Sequence, residues 1–109
     1  MNIDKNTFYF IAIGGVGMSA LAKYLIERGA KVEGSDIQES KYTHLLEKAG
    51  AKIHIGHNAD NINKDMIVVA SSAIRQTNPE IVRAKELGLK IYHRSDILKM
   101  ISDEFSQRK

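Results

Sequence analysis

The residues whose types and spacing could do chemistry fall in a few short stretches. Gly15-Val16-Gly17-Met18-Ser19-Ala20 satisfies G-x-G-x-x-G/A, with Gly14 as an additional glycine, between a hydrophobic run and a helix-like window. Glycines there permit a tight turn and close approach of a ligand, and the free N–H groups and positive dipole end of a helix start favour a phosphate or diphosphate. A ligand-free strand-to-helix turn would use the same residues. Asp36 ends Val32-Glu33-Gly34-Ser35-Asp36, 19 positions after Gly17, where a dinucleotide fold places an acid that accepts from ribose hydroxyls. The alternative is a cap ahead of the helix that starts at Ser40. Ser71-Ser72-Ala73-Ile74 follows a strand at its carboxyl end, where its hydroxyls and N–H groups could hold a base or sugar or simply form a polar loop. His57 follows the third strand on the same rim as Asp36, as a ligand contact or an exposed loop histidine. Arg94 could reach a phosphate or carboxylate as a bidentate donor, or pair with acids of its own helix.

Other chemistry is missing from the pattern. There is no G-x-x-x-x-G-K-[ST] loop for ATP, no G-x-S-x-G elbow, no paired-acid constellation and no His-x-x-x-His. The four histidines, His44, His54, His57 and His93, show no metal-ligand spacing with one another or with an acid. The residues therefore predict a domain that binds rather than reacts, with no catalytic residue, metal or cofactor of its own.

Positioning these groups requires strands and helices in alternation. β-rich apolar runs cover Thr7 to Ile13, Lys31 to Ser35, Met66 to Ala70 and Lys90 to His93, with Lys52 to Ile55 a weaker fifth. Met18, Leu21, Ala22, Leu25 and Ile26 share one helical face, as do Tyr42, Leu45, Leu46 and Ala49 after a Ser40 N-cap. Asn78 and Pro79 punctuate a third helix, and a fourth starts near Ser95 with Ile97, Leu98 and Ile101. Gly29, Gly50 and Gly88 read as left-handed residues ending three of the helices. This order predicts a Rossmann-like α/β fold: three layers around a doubly wound, parallel five-stranded sheet of order 3-2-1-4-5. The polar Gly56 to Asp65 connection, with at most a short helical turn, marks where the sheet switches direction and opens a crevice beside the first strand.

With 109 residues the chain is expected to form a single domain, residues 1–109. Its net charge of +3 comes from basic residues set beside acids, as in Glu27-Arg28, Glu47-Lys48 and Lys85-Glu86, clustering only at Arg108-Lys109, which argues against nucleic acid as a partner. The absence of cysteine fits a reducing compartment, and the short apolar runs argue against a signal peptide or a membrane partner, so a cytoplasmic location is expected.

Together, FIAIGGVGMSALA, VEGSD, IHIGH, VVASSAI, NPEIVRAKELG and HRSDIL, in this order and spacing from about Phe8 to Met100, closely resemble the N-terminal domain of the Mur ligases, specifically of their alanine-adding branch. The resemblance implies a peptidoglycan-synthesis ligase that joins L-alanine to the lactyl carboxylate of UDP-N-acetylmuramate with ATP and magnesium, through an acyl phosphate. It also implies that this first domain holds the UDP portion, and that central ATP-binding and C-terminal amino-acid domains complete the enzyme. By position, Gly14, Gly15, Val16, Gly17, Met18 and Ser19 would line the diphosphate and sugar, and Asp36, His57, Ser71, Ser72, Ala73 and Ile74 would surround the uridine, with Arg94 a further candidate. The family's GTHGKT loop does not follow HRSDIL here, so the chain is read as an excised first domain, inactive alone. A sister ligase that attaches recovered tripeptide, an NAD(P)-binding domain of a dehydrogenase or regulator, and an interaction domain with a purely structural glycine turn are the competing readings.

Overall fold

The computed structural model describes residues 2–107; the Arg108-Lys109 cluster lies outside the described residues. Five strands alternate with four helices: β1 Thr7–Ile11, α1 Val16–Glu27, β2 Lys31–Asp36, α2 Lys41–Lys48, β3 Lys52–Ile55, β4 Met66–Val69, α3 Pro79–Glu86, β5 Ile91–Tyr92 and α4 Arg94–Gln107. The sheet runs β3-β2-β1-β4-β5 with every pairing parallel, as the element order predicts. Central β1 is buried on both faces, which its Phe8-Tyr9-Phe10-Ile11 run suits.

The two faces are covered unequally. Phe8, Phe10, Val32, Ile67 and Val69 meet Met18, Leu21, Ala22 and Leu25 of α1, Leu46 of α2 and Ile97 of α4 in one core. On the other face Tyr9, Ile11, Met66, Val68 and Ala70 meet Ile81 and Ala84 of α3, with Ile62. Full burial of each large apolar side chain contributes about 1.5–3 kcal/mol, so the two clusters supply most of the driving force. Over β2 and β3 this second face has no helix, because the β3–β4 connection makes only a 3-10 turn at Ala59–Asn61. Polar side chains replace apolar ones there: Glu33, Ser35 and His54.

The punctuation is largely as expected. Ser40 caps α2 in a reciprocal box with Thr43, Asn78 accepts from the Glu80 amide ahead of Pro79, and Gly29, Gly50 and Gly88 have φ of 91°, 111° and 73°. Several boundaries differ, β2 running on to Asp36 rather than Ser35 and β4 stopping at Val69 rather than Ala70. β1 stops at Ile11 rather than Ile13 because Ala12 takes φ 65° and turns the chain out of the sheet. β5 is only Ile91–Tyr92, and α4 begins one residue before Ser95, where the Asp96 carboxylate accepts from the His93 amide at 2.8 Å.

Candidate functional site

The left-handed Ala12 starts the turn at the carboxyl end of β1. Ile13 N–H then donates to the Ser35 carbonyl at 2.9 Å, tying the turn to β2, and Gly15 N–H donates to Ala12 O at 3.3 Å. Gly15 is the N-cap of α1 and has no side chain to cap with, and no acid lies in the first turn. The amides of Val16, Gly17 and Met18 are thus left as donors, an arrangement that suits an anion.

Asp36 braces this turn from behind. Its Oδ2 accepts from Gly14 N–H at 2.8 Å and its Oδ1 from Ile37 N–H at 2.7 Å. A side chain at Gly14 would collide with that carboxylate, the Cβ falling 2.7 Å from Oδ2. The acid expected to meet a ribose therefore already holds the glycine loop in place.

In front of the turn lies a cleft of about 660 Å³, lined by Gly15, Gly17 and Met18 from the turn, Ser71 and Ser72 after β4, and His93, Arg94 and Ser95 at the start of α4. Arg94 is exposed, forms no salt bridge among the described residues, and lies across Gly17, so that a Cβ there would be 3.4 Å from Nε. The structure thus brings Gly15, Gly17, Met18, Ser71, Ser72 and Arg94 together. It also adds His93, which the sequence marks only as lacking metal spacing; its Nδ1–H donates to the Ala70 carbonyl at 3.0 Å, fixing the ring beside the cleft.

Other candidates sit differently. The Ser19 hydroxyl turns back to donate to Val16 O at 3.1 Å, and Val16 itself is exposed. Ala73 is exposed, whereas Ile74 packs against the α3-side core, its N–H donating to Ser71 O at 3.2 Å in a turn.

His57 belongs to a buried polar network that residue spacing does not foreshadow. Its centre is Glu80, wholly buried in the first turn of α3. Oε2 accepts from Tyr9 OH at 2.6 Å and from Asn58 N and Asn61 Nδ2 at 3.1 Å each, while Oε1 accepts from Ser35 Oγ at 2.5 Å. His57 Nδ1 lies 2.7 Å from Ser35 Oγ and 3.4 Å from Glu80 Oε1. Burial, reinforced by the Glu80 carboxylate, pushes the Tyr9 phenol well above its ordinary range, so it stays a donor. The network fills the part of the second face that no helix covers, with His54 bonded to Glu33 at 2.6 Å beside it. Ser35 is fully buried and donates to the acid, so the trio is no nucleophilic relay.

A parallel doubly wound sheet, with an uncapped helix start after its first strand, a brace behind the glycine turn and an arginine in front of it, defines a Rossmann-like class of domain. Comparison with known proteins narrows that class: the family model described as Mur ligase family, catalytic domain, matches residues 7–106. The chain belongs to the Mur ligase family. A UDP-N-acetylmuramate–L-alanine ligase of Streptomyces avermitilis is 53% identical over 96 residues, covering 87% of this chain and 21% of the relative. Among solved structures, the UDP-N-acetylmuramate-alanine ligase of Thermotoga maritima matches with a TM-score of 0.78 and 38% identity over 95% of this chain and 23% of its own. A murein peptide ligase of Psychrobacter arcticus matches at TM-score 0.72 and 25% identity over 79% of this chain and 18% of its own. The chain spans about a fifth of the length of the curated relatives it matches.

Proposed function

We propose that these residues hold the UDP portion of UDP-N-acetylmuramate, as the N-terminal domain of an ATP-dependent ligase that adds L-alanine to it in the cytoplasm during peptidoglycan precursor synthesis. The observation that carries this reading is the convergence of the uncapped start of α1, at Gly17 and Met18, with Arg94, which has no salt-bridge partner among the described residues, across one cleft. Two kinds of positive group there face the place where a diphosphate would lie, and the Ser71-Ser72 loop offers polar contacts for the rest of the nucleotide. The identity to alanine-adding ligases, higher than that to the murein peptide ligase, favours the alanine-adding branch.

A magnesium ion, which the reaction requires along with ATP, would find no carboxylate ligand in the lining of this cleft, and the described residues hold no group of three or more His, Cys, Asp or Glu suited to a metal. ATP chemistry and amino-acid delivery are assigned to the further domains that the longer relatives would contain.

Titration of the ¹⁵N-labelled chain with UDP-N-acetylmuramate or UDP tests the proposal. The amides of Gly15, Gly17 and Ser71 are expected to shift, and NADH to bind more weakly than UDP. Unchanged amides at saturating nucleotide, or tighter NADH binding, would overturn it.

A further inference from the structure

We propose that Glu80 acts at a distance as a positioning residue: through Ser35 it holds His57 as the Nδ1–H tautomer, so that Nε2 is a fixed acceptor for an O–H or N–H donor of the bound nucleoside. The ligand half of this inference rests on the nucleotide-binding reading above and on the place of His57 after β3 at the same carboxyl rim, beyond the lining of the cleft itself. The tautomer half rests on hydrogen-bond arithmetic alone.

Glu80 accepts at both of its oxygens, so the 2.5 Å contact between Ser35 Oγ and Glu80 Oε1 consumes the single serine proton. Ser35 Oγ then faces His57 Nδ1 at 2.7 Å with lone pairs only, and Nδ1 must supply the hydrogen. In the neutral ring the proton is therefore on Nδ1 and Nε2 carries the lone pair. Nε2 has no hydrogen-bond partner among the described residues, and no buried side-chain nitrogen or oxygen is left unpartnered, so Nε2 reaches solvent. The His57 side chain is otherwise well covered, at 16% exposure, and follows β3 at the carboxyl edge of the sheet. The outcome is a rigid ring with one outward acceptor, held by a carboxylate on a different element.

Substitution of Glu80 by glutamine makes a sharp contrast. Three donors, Tyr9 OH, Asn58 N and Asn61 Nδ2, converge on the Oε2 position, so the amide oxygen must sit there and the NH₂ must face Ser35. Ser35 then accepts from the amide and turns its own proton to His57 Nδ1, which moves the imidazole proton to Nε2. A change of one buried atom thereby converts the outward acceptor into a donor.

Long-range ¹H–¹⁵N correlation spectra of the imidazoles, recorded at about pH 8, above the ordinary histidine range, read the tautomer directly. The unsubstituted chain is expected to show Nδ1 protonated and Nε2 bare, and Glu80→Gln the reverse, with UDP affinity falling about tenfold or more as one hydrogen bond becomes a donor–donor contact. A bare Nδ1 in the unsubstituted chain overturns the inference, and that measurement stands even if Glu80→Gln does not fold. A folded Glu80→Gln chain that keeps the Nδ1 proton overturns it as well. On adding UDP, the Nε2 resonance is expected to move; N3-methyl-UDP and 2′-deoxy-UDP then distinguish the base imide from the ribose hydroxyl as donor. If the Gly15 and Gly17 amides respond to UDP while Nε2 does not, the ligand half is wrong. If neither responds, the nucleotide reading falls and the ligand half with it, while the relay is judged on the ligand-free spectra.

Discussion

Gly17 and Gly34 are glycines for different reasons, and substitution separates them. At Gly34 a Cβ would lie 2.6 Å from the Phe10 carbonyl oxygen and 2.8 Å from Ile13 Cδ1, inside the sheet where neither neighbour can retreat. Gly34→Ala is expected to cost at least about 3 kcal/mol, the upper end for overpacking, measured by urea unfolding. At Gly17 the nearest atoms a Cβ would meet belong to the flexible Arg94 side chain. Gly17→Val should keep the fold, displace Arg94 and weaken UDP binding, whereas Arg94→Ala should weaken it by about 10- to 100-fold by loss of a charge-assisted bond. Calorimetric titration of both variants checks this, and unchanged affinity in Arg94→Ala would remove that residue from the site. Tyr9 predicts a pH effect. A phenol whose pKa is higher folded than unfolded contributes its full stability below the unfolded value of 10.0 and loses it as pH rises beyond. Unfolding free energies measured from about pH 8 to 11 should decline more steeply for the unsubstituted chain than for Tyr9→Phe, by up to about 1.4 kcal/mol per pH unit.

Among the elements, α2 depends most visibly on its cap. It has eight residues, and its Ser40–Thr43 box satisfies donors that so short a helix cannot satisfy internally. Ser40→Ala should lower stability by about 1 kcal/mol, read from the denaturation midpoint. Caps, terminal glycines and the glycine turn are legible in the sequence because each is a local arrangement of a few neighbouring residues. The Glu80 network is not, because its members come from β1, β2, the β3–β4 connection and α3, and none has an unusual neighbour in sequence. Glu80 itself reads as an ordinary first-turn acid until the fold places Tyr9 and Ser35 above it. Asp36 shows the same limit: its distance from Gly17 identifies the rim correctly, but only the folded turn reveals that Gly14 already uses the carboxylate. The end of β1 is misread by two residues because nothing about alanine announces a left-handed backbone at Ala12.

At the scale of the molecule, strand order is recoverable from the sequence because right-handed crossovers leave few ways to arrange five parallel strands. The unequal covering of the two faces follows from one short connection, and it explains why polar chemistry penetrates the sheet only over β2 and β3. The same order has a consequence in time. β1 pairs with β2 beginning at Lys31 but with β4 beginning at Met66, 59 positions after Thr7. Synthesis at about 5–20 residues per second therefore separates the making of β1 from that of its second neighbour by roughly 3–12 s. This central strand, buried on both faces in the fold, is the first of the five to be made and must wait, one edge open, for a partner encoded much later, so the nascent chain is most vulnerable to aggregation and most in need of a chaperone during that interval.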